Sequence, residues 1–301
     1  MPNWSSIQQE IYSTPSVNKT SPPPGPLDIV RKKYLQKLQK YTKRNIIAYY
    51  SGFLHTTNSN ISSSIFDGDM NAFMNAIHDL DKRDGLDIIL HTPGGSVTAT
   101  EGIVNYLHSV FGLDIRCFIP QLAMSGGTMI ACACKEIYMG KHSNIGPIDP
   151  QFGGIAAYGI IEEYERAVIE IEEKPSSIPI WQTIFNQVHP SWITECHHAI
   201  DLSSELVTEW LISYMNKTKK EAQAIVKKLN NHTDTKTHGR HINMEKAIKI
   251  GLNVIPLEND DELQDLILTV HHAYMETFNQ SLACKIIENH NGVATVFNNS
   301  K

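Results

Sequence analysis

Two glycine-rich turns hold the residues with the most chemical promise. One reads His91-Thr92-Pro93-Gly94-Gly95 and follows the apolar run Asp87 to Leu90. The other reads Ala123-Met124-Ser125-Gly126-Gly127 and follows Ile115 to Ile119. A serine at the first turn of a helix, flanked by small residues, matches the strand-to-helix elbow that exposes a nucleophilic hydroxyl, with Ala123 in place of the first glycine of G-x-S-x-G. The N–H of Gly126 has no partner within such a helix, because the first turn offers no acceptor. Gly94 and Gly95 can bring a second N–H by close backbone approach, and two donors of this kind make an oxyanion hole, whose loss typically costs about 2.7–4 kcal/mol of transition-state stabilisation. The plainer reading makes Ser125 a helix cap and the glycines tight-turn residues. Two such turns on neighbouring strands weaken it. Phosphate binding fits poorly, since neither turn has the Lys-Ser/Thr ending of a P-loop or the spacing of G-x-G-x-x-G.

The elements that must position these turns alternate along the first half of the chain. Ile46 to Phe53, Leu86 to Leu90, Ile115 to Ile119 and Glu136 to Met139 read as strands. Asp69 to Leu80, Ser96 to Phe111 and Ser125 to Cys134 read as helices between them. Strand and helix in turn predict parallel strands with right-handed crossovers and helices on both faces. Both glycine turns then lie at the carboxyl edge of the sheet, where such sheets place their sites. The second half is more helical, with patterns over Ile160 to Glu172, Trp192 to Met215, Lys219 to Leu229, Met244 to Ile250 and Asp261 to Phe278, an apolar run at Val254 to Leu257, and a strand-like tail at Cys284 to Ile287. Before the first helix, residues 1 to 27 form a polar arm ending in Ser21-Pro22-Pro23-Pro24-Gly25-Pro26, which favours extended geometry.

Composition narrows the class. The 301 residues are 41% apolar and 19% charged, and 26 basic against 32 acidic side chains leave a net charge of −6. With no clustered Lys and Arg, nucleic-acid binding is not expected. No apolar run nears the roughly 20 residues of a membrane span, and Met1 to Pro15 has no apolar leader. Five scattered cysteines do not form a disulfide framework and suggest a reducing compartment, the cytoplasm. No cofactor is expected. His238 and His241 form an H-x-x-H pair that lacks a zincin's i, i+4 spacing and third ligand, so no metal is expected either. Cys132 and Cys134 read as small core residues.

The runs Leu90-His91-Thr92-Pro93-Gly94-Gly95, Met124-Ser125-Gly126-Gly127-Thr128-Met129-Ile130 and Gly146-Pro147-Ile148-Asp149-Pro150-Gln151 together resemble the Clp-fold serine peptidases, the superfamily of Clp protease and signal peptide peptidase A. Within it the likeness is to the serine dehydrogenase proteinase family. Arg44-Asn45-Ile46-Ile47-Ala48-Tyr49-Tyr50, Thr237-His238-Gly239-Arg240-His241 and Ile286-Ile287-Glu288-Asn289-His290-Asn291-Gly292 extend it over nearly the whole chain after the arm. The resemblance implies an α/β fold, a Clp/crotonase-type spiral of ββα units with a helical extension. It divides the chain into the arm 1–27, a Clp-like core 28–157, the extension 158–232 and a C-terminal completion of the core 233–301. It also implies a Ser125 nucleophile, an oxyanion hole from Gly94 or Gly95 with Gly126, a peptide or protein substrate, and self-assembly into a homo-oligomer. Many relatives carry a membrane anchor, which this sequence does not show.

The general base is less evident. A serine needs a neighbour to take its proton, a histidine or a lysine kept neutral by burial, and Clp protease has a histidine where this chain has Gly146-Pro147-Ile148-Asp149-Pro150. Lys174, just before a proline-bounded helical segment, is placed similarly to the lysine of signal peptide peptidase A. His238 precedes Ala247-Ile248-Lys249-Ile250-Gly251-Leu252, a segment similar to one that follows the triad aspartate in Clp protease. Lys174 also sits beside Glu172 and Glu173, as a solvated surface lysine would. His142, His189 and Lys236 stand behind these two. Two rival functions share the fold: a crotonase-like acyl-CoA enzyme, in which the two N–H groups polarise a thioester, and a non-catalytic assembly or adaptor module that has lost its base.

Overall fold

The stretches that deliver the glycine turns are continuous apolar runs, and continuous runs are buried on both faces. A computed structural model of the chain describes residues 4–15, 25–55, 63–187, 189, 191–230 and 238–299; the run Ser21-Pro22-Pro23-Pro24 and Lys236 lie outside them. Strands β1 (Asn45–Ser51), β2 (Leu86–His91) and β11 (Ala283–Asn289) are buried at every position. With β3 (Ile115–Ile119), β5 (Glu136–Met139), β10 (Val254–Pro256) and β12 (Ala294–Asn298) they form a seven-stranded sheet in the order β10-β5-β3-β2-β1-β11-β12. From β10 to β1 every pairing is parallel, as the alternation predicted. The C-terminal tail joins as an antiparallel hairpin, β11 against β1 and β12 against β11, so the sheet is mixed.

Two apolar layers cover it. On one face α3 (Asp69–Ile77), α4 (Val97–Phe111), α5 (Gly126–Cys132), α8 (Trp192–Ser213) and α9 (Lys219–Leu229) contribute Phe73, Val104, Ile130, Val207 and Ile225 to a single core. On the other face lie α2 (Pro26–Thr42) and the long helix Asp261–Gln280, with Leu35, Leu38, Tyr274 and Phe278 inward. Within the stretch read as a polar arm, Trp4–Ser13 form α1, whose Ile7 and Ile11 are buried in this second core. Helix α6 (Ala157–Glu173) meets the start of α8 over a separate small core of Ala157, Ile160, Cys196 and Ile200, and α7 (Ile178–Phe185) follows α6 in the chain.

Charges inside the fold are paired. Asp87 is fully buried and accepts from Arg44 and Arg116 at 2.7 Å each. Lys285 on β11 is fully buried and donates to Asp69 of α3 at 2.7 Å and to the Ser64 carbonyl at 2.6 Å. That second bond matters for the site. It fixes residues 63–66, and Ile65 is in turn bridged to Gly95. All five cysteines are free and buried, and among the described residues no helix is long and apolar enough to cross a membrane.

Candidate active site

Ser125 has φ 51 and ψ −116, a left-handed conformation that costs a residue with a Cβ about 1–3 kcal/mol and persists only where its surroundings enforce it. The enforcement is visible. Met124 N–H donates to the Thr92 carbonyl and Thr92 N–H to the Leu122 carbonyl, both at 3.0 Å, tying the two glycine turns together in parallel register. Thr128, one turn into α5, donates to the Ala123 carbonyl at 2.9 Å and accepts from Gly146 N–H at 3.0 Å. The chain therefore enters and leaves Ser125 along fixed paths. Although Ser125 stands at the N-cap of α5, its side chain makes no capping bond, so the helix-cap reading does not account for it.

The glycines are demanded by contact as much as by conformation. A Cβ on Gly94, at φ 95, would lie 2.6 Å from Ser125 Cβ and 2.7 Å from the Met124 carbonyl oxygen. One on Gly95 would collide with the backbone N and O of Ile65. One on Gly126 would stand 3.4 Å from the Gly95 nitrogen, which sets the Gly95 and Gly126 amides side by side. Gly94 N–H donates to Thr92 Oγ1 at 3.1 Å. Among the described residues neither the Gly95 nor the Gly126 N–H makes a hydrogen bond. Of the sequence alternatives for the oxyanion pair, Gly95 with Gly126 therefore has both donors available.

A second, three-stranded sheet brings up the rest. β4 (Leu122–Ala123) pairs in parallel with β6 (Asn144–Ile145), and β6 pairs antiparallel with β9 (Ile242–Asn243). Ser125 lies two residues beyond β4. Asp149 lies four beyond Ile145, and His238 lies four before its partner Ile242, so the antiparallel register carries these two into opposition at the same end. There His238 Nδ1 and Asp149 Oδ1 are 2.8 Å apart. Asp149 is fully buried and His238 is 19% exposed. A carboxylate only accepts, so the hydrogen sits on Nδ1 and the Nε2 lone pair points away from Asp149. No hydrogen bond joins His238 to Ser125. Neighbouring strands stand about 4.8 Å apart, which puts β4 and β9 roughly 10 Å from each other, with Asp149 and His238 between their ends.

The other candidates are placed elsewhere. Lys174 is exposed and closes the C-terminal end of α6. Ala157, at the start of α6, donates its N–H to the Pro150 carbonyl beside Asp149; seventeen residues of helix then carry Lys174 about 25 Å away along the axis. His142 is exposed in the turn after β5, and His189 is exposed with its ring on the Ser191 hydroxyl at 2.8 Å. His241, three residues after His238, borders a cavity with Arg240. Cys132 and Cys134 are buried in α5 and the turn after it, and burial raises the Cys132 thiol pKa far above its ordinary value.

Asp149 is the residue that sequence reasoning passed over. Its segment, Gly146-Pro147-Ile148-Asp149-Pro150, holds no histidine, and the signal it does carry is a carboxylate between two prolines in an otherwise uncharged run.

A family model of ClpP-like SDH-type serine proteinases matches residues 27–282. The chain belongs to that family. Among curated proteins it is similar to two uncharacterized proteins of Methanocaldococcus jannaschii. MJ1495 is 32% identical over 169 residues, 56% of this chain and 51% of the relative. MJ0137 is 38% identical over 98 residues, 33% of this chain and 34% of the relative. The chain thus spans about half the length of one and about a third of the other.

Proposed function

We propose that the protein is a serine peptidase in which Ser125 is the nucleophile, Gly95 and Gly126 hold the oxyanion, and His238, oriented by Asp149, is the general base. The observation that carries the reading is the strained, uncapped Ser125 elbow with two amide donors beside it, at the same end of a small sheet as an aspartate–histidine pair. Ser125 Oγ attacks the scissile carbonyl as its proton passes to His238 Nε2, and the carbonyl electron pair moves onto the oxygen facing the two amides. Collapse of that intermediate expels the amine, which takes the proton from His238. Water then repeats the sequence on the acyl-enzyme. Lys174 plays no part in this scheme, its distance along α6 being the reason. Five free, buried cysteines favour a reducing compartment, the cytoplasm.

A fluorophosphonate probe tests the nucleophile. The full-length protein is expected to be labelled on Ser125, and Ser125→Ala is expected to abolish labelling while circular dichroism and hydrodynamic size stay unchanged. Equal labelling of both proteins sinks the assignment. An unlabelled wild type that instead binds CoA thioesters would favour the acyl-CoA alternative.

We further infer a homo-oligomer, in keeping with the exposed apolar side chains Tyr164, Ile169, Ile180 and Ile184 on α6 and α7. Size-exclusion with light scattering is expected to report several copies per particle. A single-copy mass at every concentration refutes it.

A further inference from the structure

A threonine inside a helix can return its hydroxyl to the carbonyl three or four residues back. Thr128, three residues after Ser125 in α5, reaches outside its helix instead. Its Oγ1 lies 2.9 Å from the Ala123 carbonyl on β4 and 2.9 Å from the Gly146 carbonyl just beyond β6, and it accepts from Gly146 N–H at 3.0 Å. A hydroxyl has one hydrogen and two lone pairs, so the two carbonyls share the hydrogen while the Gly146 amide takes a lone pair. The side chain is fully buried. The β4–β6 ladder ends at the pair Ala123 and Ile145, and beyond it one strand turns to Ser125 while the other runs to Asp149. Thr128 supplies the next rung from the side. The two chains are still in contact there, since a Cβ on Gly146 would lie 3.4 Å from Met124 Cα.

What Gly146 leads to is short and stiff. Only Pro147 and Ile148 separate it from Asp149, and Pro150 follows. Each proline fixes φ near about −65°, so a shift at Gly146 passes to Asp149 with little slack. The segment has other anchors, Ile148 N–H on the Leu229 carbonyl at 3.2 Å and the Pro150 carbonyl on Ala157 N–H at 2.9 Å, and these come from α9 and α6. Thr128 stands on the helix that carries the nucleophile. We propose that Thr128 is a positioning residue that sets the separation of Ser125 from the Asp149–His238 pair, so that the imidazole can take the serine proton once substrate is bound. The inference rests on the serine-peptidase reading. The hydroxyl itself has no part in the bond-breaking steps, because its partners are backbone groups.

Steady-state kinetics of the full-length protein on one internally quenched peptide from a casein digest, with fluorophosphonate labelling alongside, tests the role. Thr128→Val keeps the shape and removes the hydroxyl. Its kcat is expected to fall on the order of 10- to 100-fold with KM within about twofold, since a misplacement of about 1 Å can cost on the order of a hundredfold. Thr128→Ser keeps the hydroxyl and is expected to hold kcat within about threefold of wild type. Acting through the base has a further signature. In a His238→Ala background the base is already gone, and Thr128→Val is expected to lower kcat by no more than about twofold again. Thermal melts show that each variant is folded. Where Thr128→Val does not fold, Thr128→Ala, in which a water can enter among the backbone groups, is expected to fold and to lose at least about fivefold in kcat. A kcat unchanged by loss of the hydroxyl, equal losses in Thr128→Ser and Thr128→Val, a loss confined to KM, or an undiminished loss in the His238→Ala background overturns the proposal. Any of these in a protein whose wild type is labelled on Ser125 refutes the positioning role alone, whereas a wild type that neither labels nor cleaves refutes the serine reading and the positioning role with it.

Discussion

At the scale of single residues, the site divides into groups the sequence announces and groups it conceals. Ser125, Gly94, Gly95 and Gly126 are legible because they cluster in two turns between strand and helix, where Ser125, Gly94 and Gly95 hold positive φ and a Cβ on Gly126 would stand 2.8 Å from Thr100 Oγ1. Asp149 and His238 are 89 residues apart, and no local pattern joins them. Their substitution gives the sharpest test of the proposed base. His238→Ala is expected to lower turnover by on the order of a thousandfold or more, and Asp149→Asn by a comparable amount, because the neutral amide no longer stabilises the imidazolium and its NH2 can donate to Nδ1, which moves the imidazole hydrogen to Nε2. Lys174→Ala is expected to stay within about twofold of wild type, as an exposed residue at a helix end should. Steady-state kinetics on one peptide suffices, with thermal melts to show that each variant is folded. The opposite ranking, with Lys174 essential and His238 dispensable, would transfer the base to the helical extension.

Most elements long enough to show a period are readable, the ten-residue α1 within the polar arm being an exception, and the two-residue strands are not. The strands of the parallel core and the helices α4, α8 and α9 fall within a few residues of the spans their apolar spacing predicts. The three strands that align Ser125, Asp149 and His238 have two residues each. Two residues carry no alternation, so the sheet that builds the site is the part least visible in the sequence. Glycines report on how tightly it is built. Gly95→Ala drives a Cβ into the Ile65 backbone and is expected to lower stability by about 1–3 kcal/mol and to suppress probe labelling. Gly102, inside α4, offers a control: its Cβ would meet only Met70 Cε at 3.5 Å, an ordinary contact. Gly102→Ala is expected to raise stability by about 0.5–1 kcal/mol through helix propensity. Urea denaturation of the pair checks both signs, and a neutral Gly95→Ala would show that the Ile65 bridge is dispensable.

For the whole molecule, the second core sets a limit on acid tolerance. His91 is fully buried among Tyr50, Phe53 and His271, and burial pushes its pKa down to about 3. His271 is held well below its ordinary value by burial and by His91, His272, His142 and His55 around it. The unfolded chain takes up these protons near pH 6.5, and the folded chain resists until far lower. The neutral rings thus stabilise the fold fully above about pH 6.5, and that stability is lost progressively as pH falls toward about 3, at up to about 1.4 kcal/mol per pH unit for each group. Urea midpoints are expected to fall between about pH 7 and about pH 5, and His91→Phe, a ring of similar volume among aromatic neighbours, is expected to fall less steeply. Identical slopes would move the acid sensitivity elsewhere.

The place of β11 has a consequence for the order in which the molecule comes into being. The glycine turns and Ser125 leave the ribosome well before Lys285, yet the bond from Lys285 to Ser64 secures the segment on which Gly95 rests. Until the last strands are synthesised and inserted beside β1, the Gly95 turn lacks this backing. On the proposed mechanism, a nascent chain is therefore expected to react with the serine probe only once translation has passed residue 285.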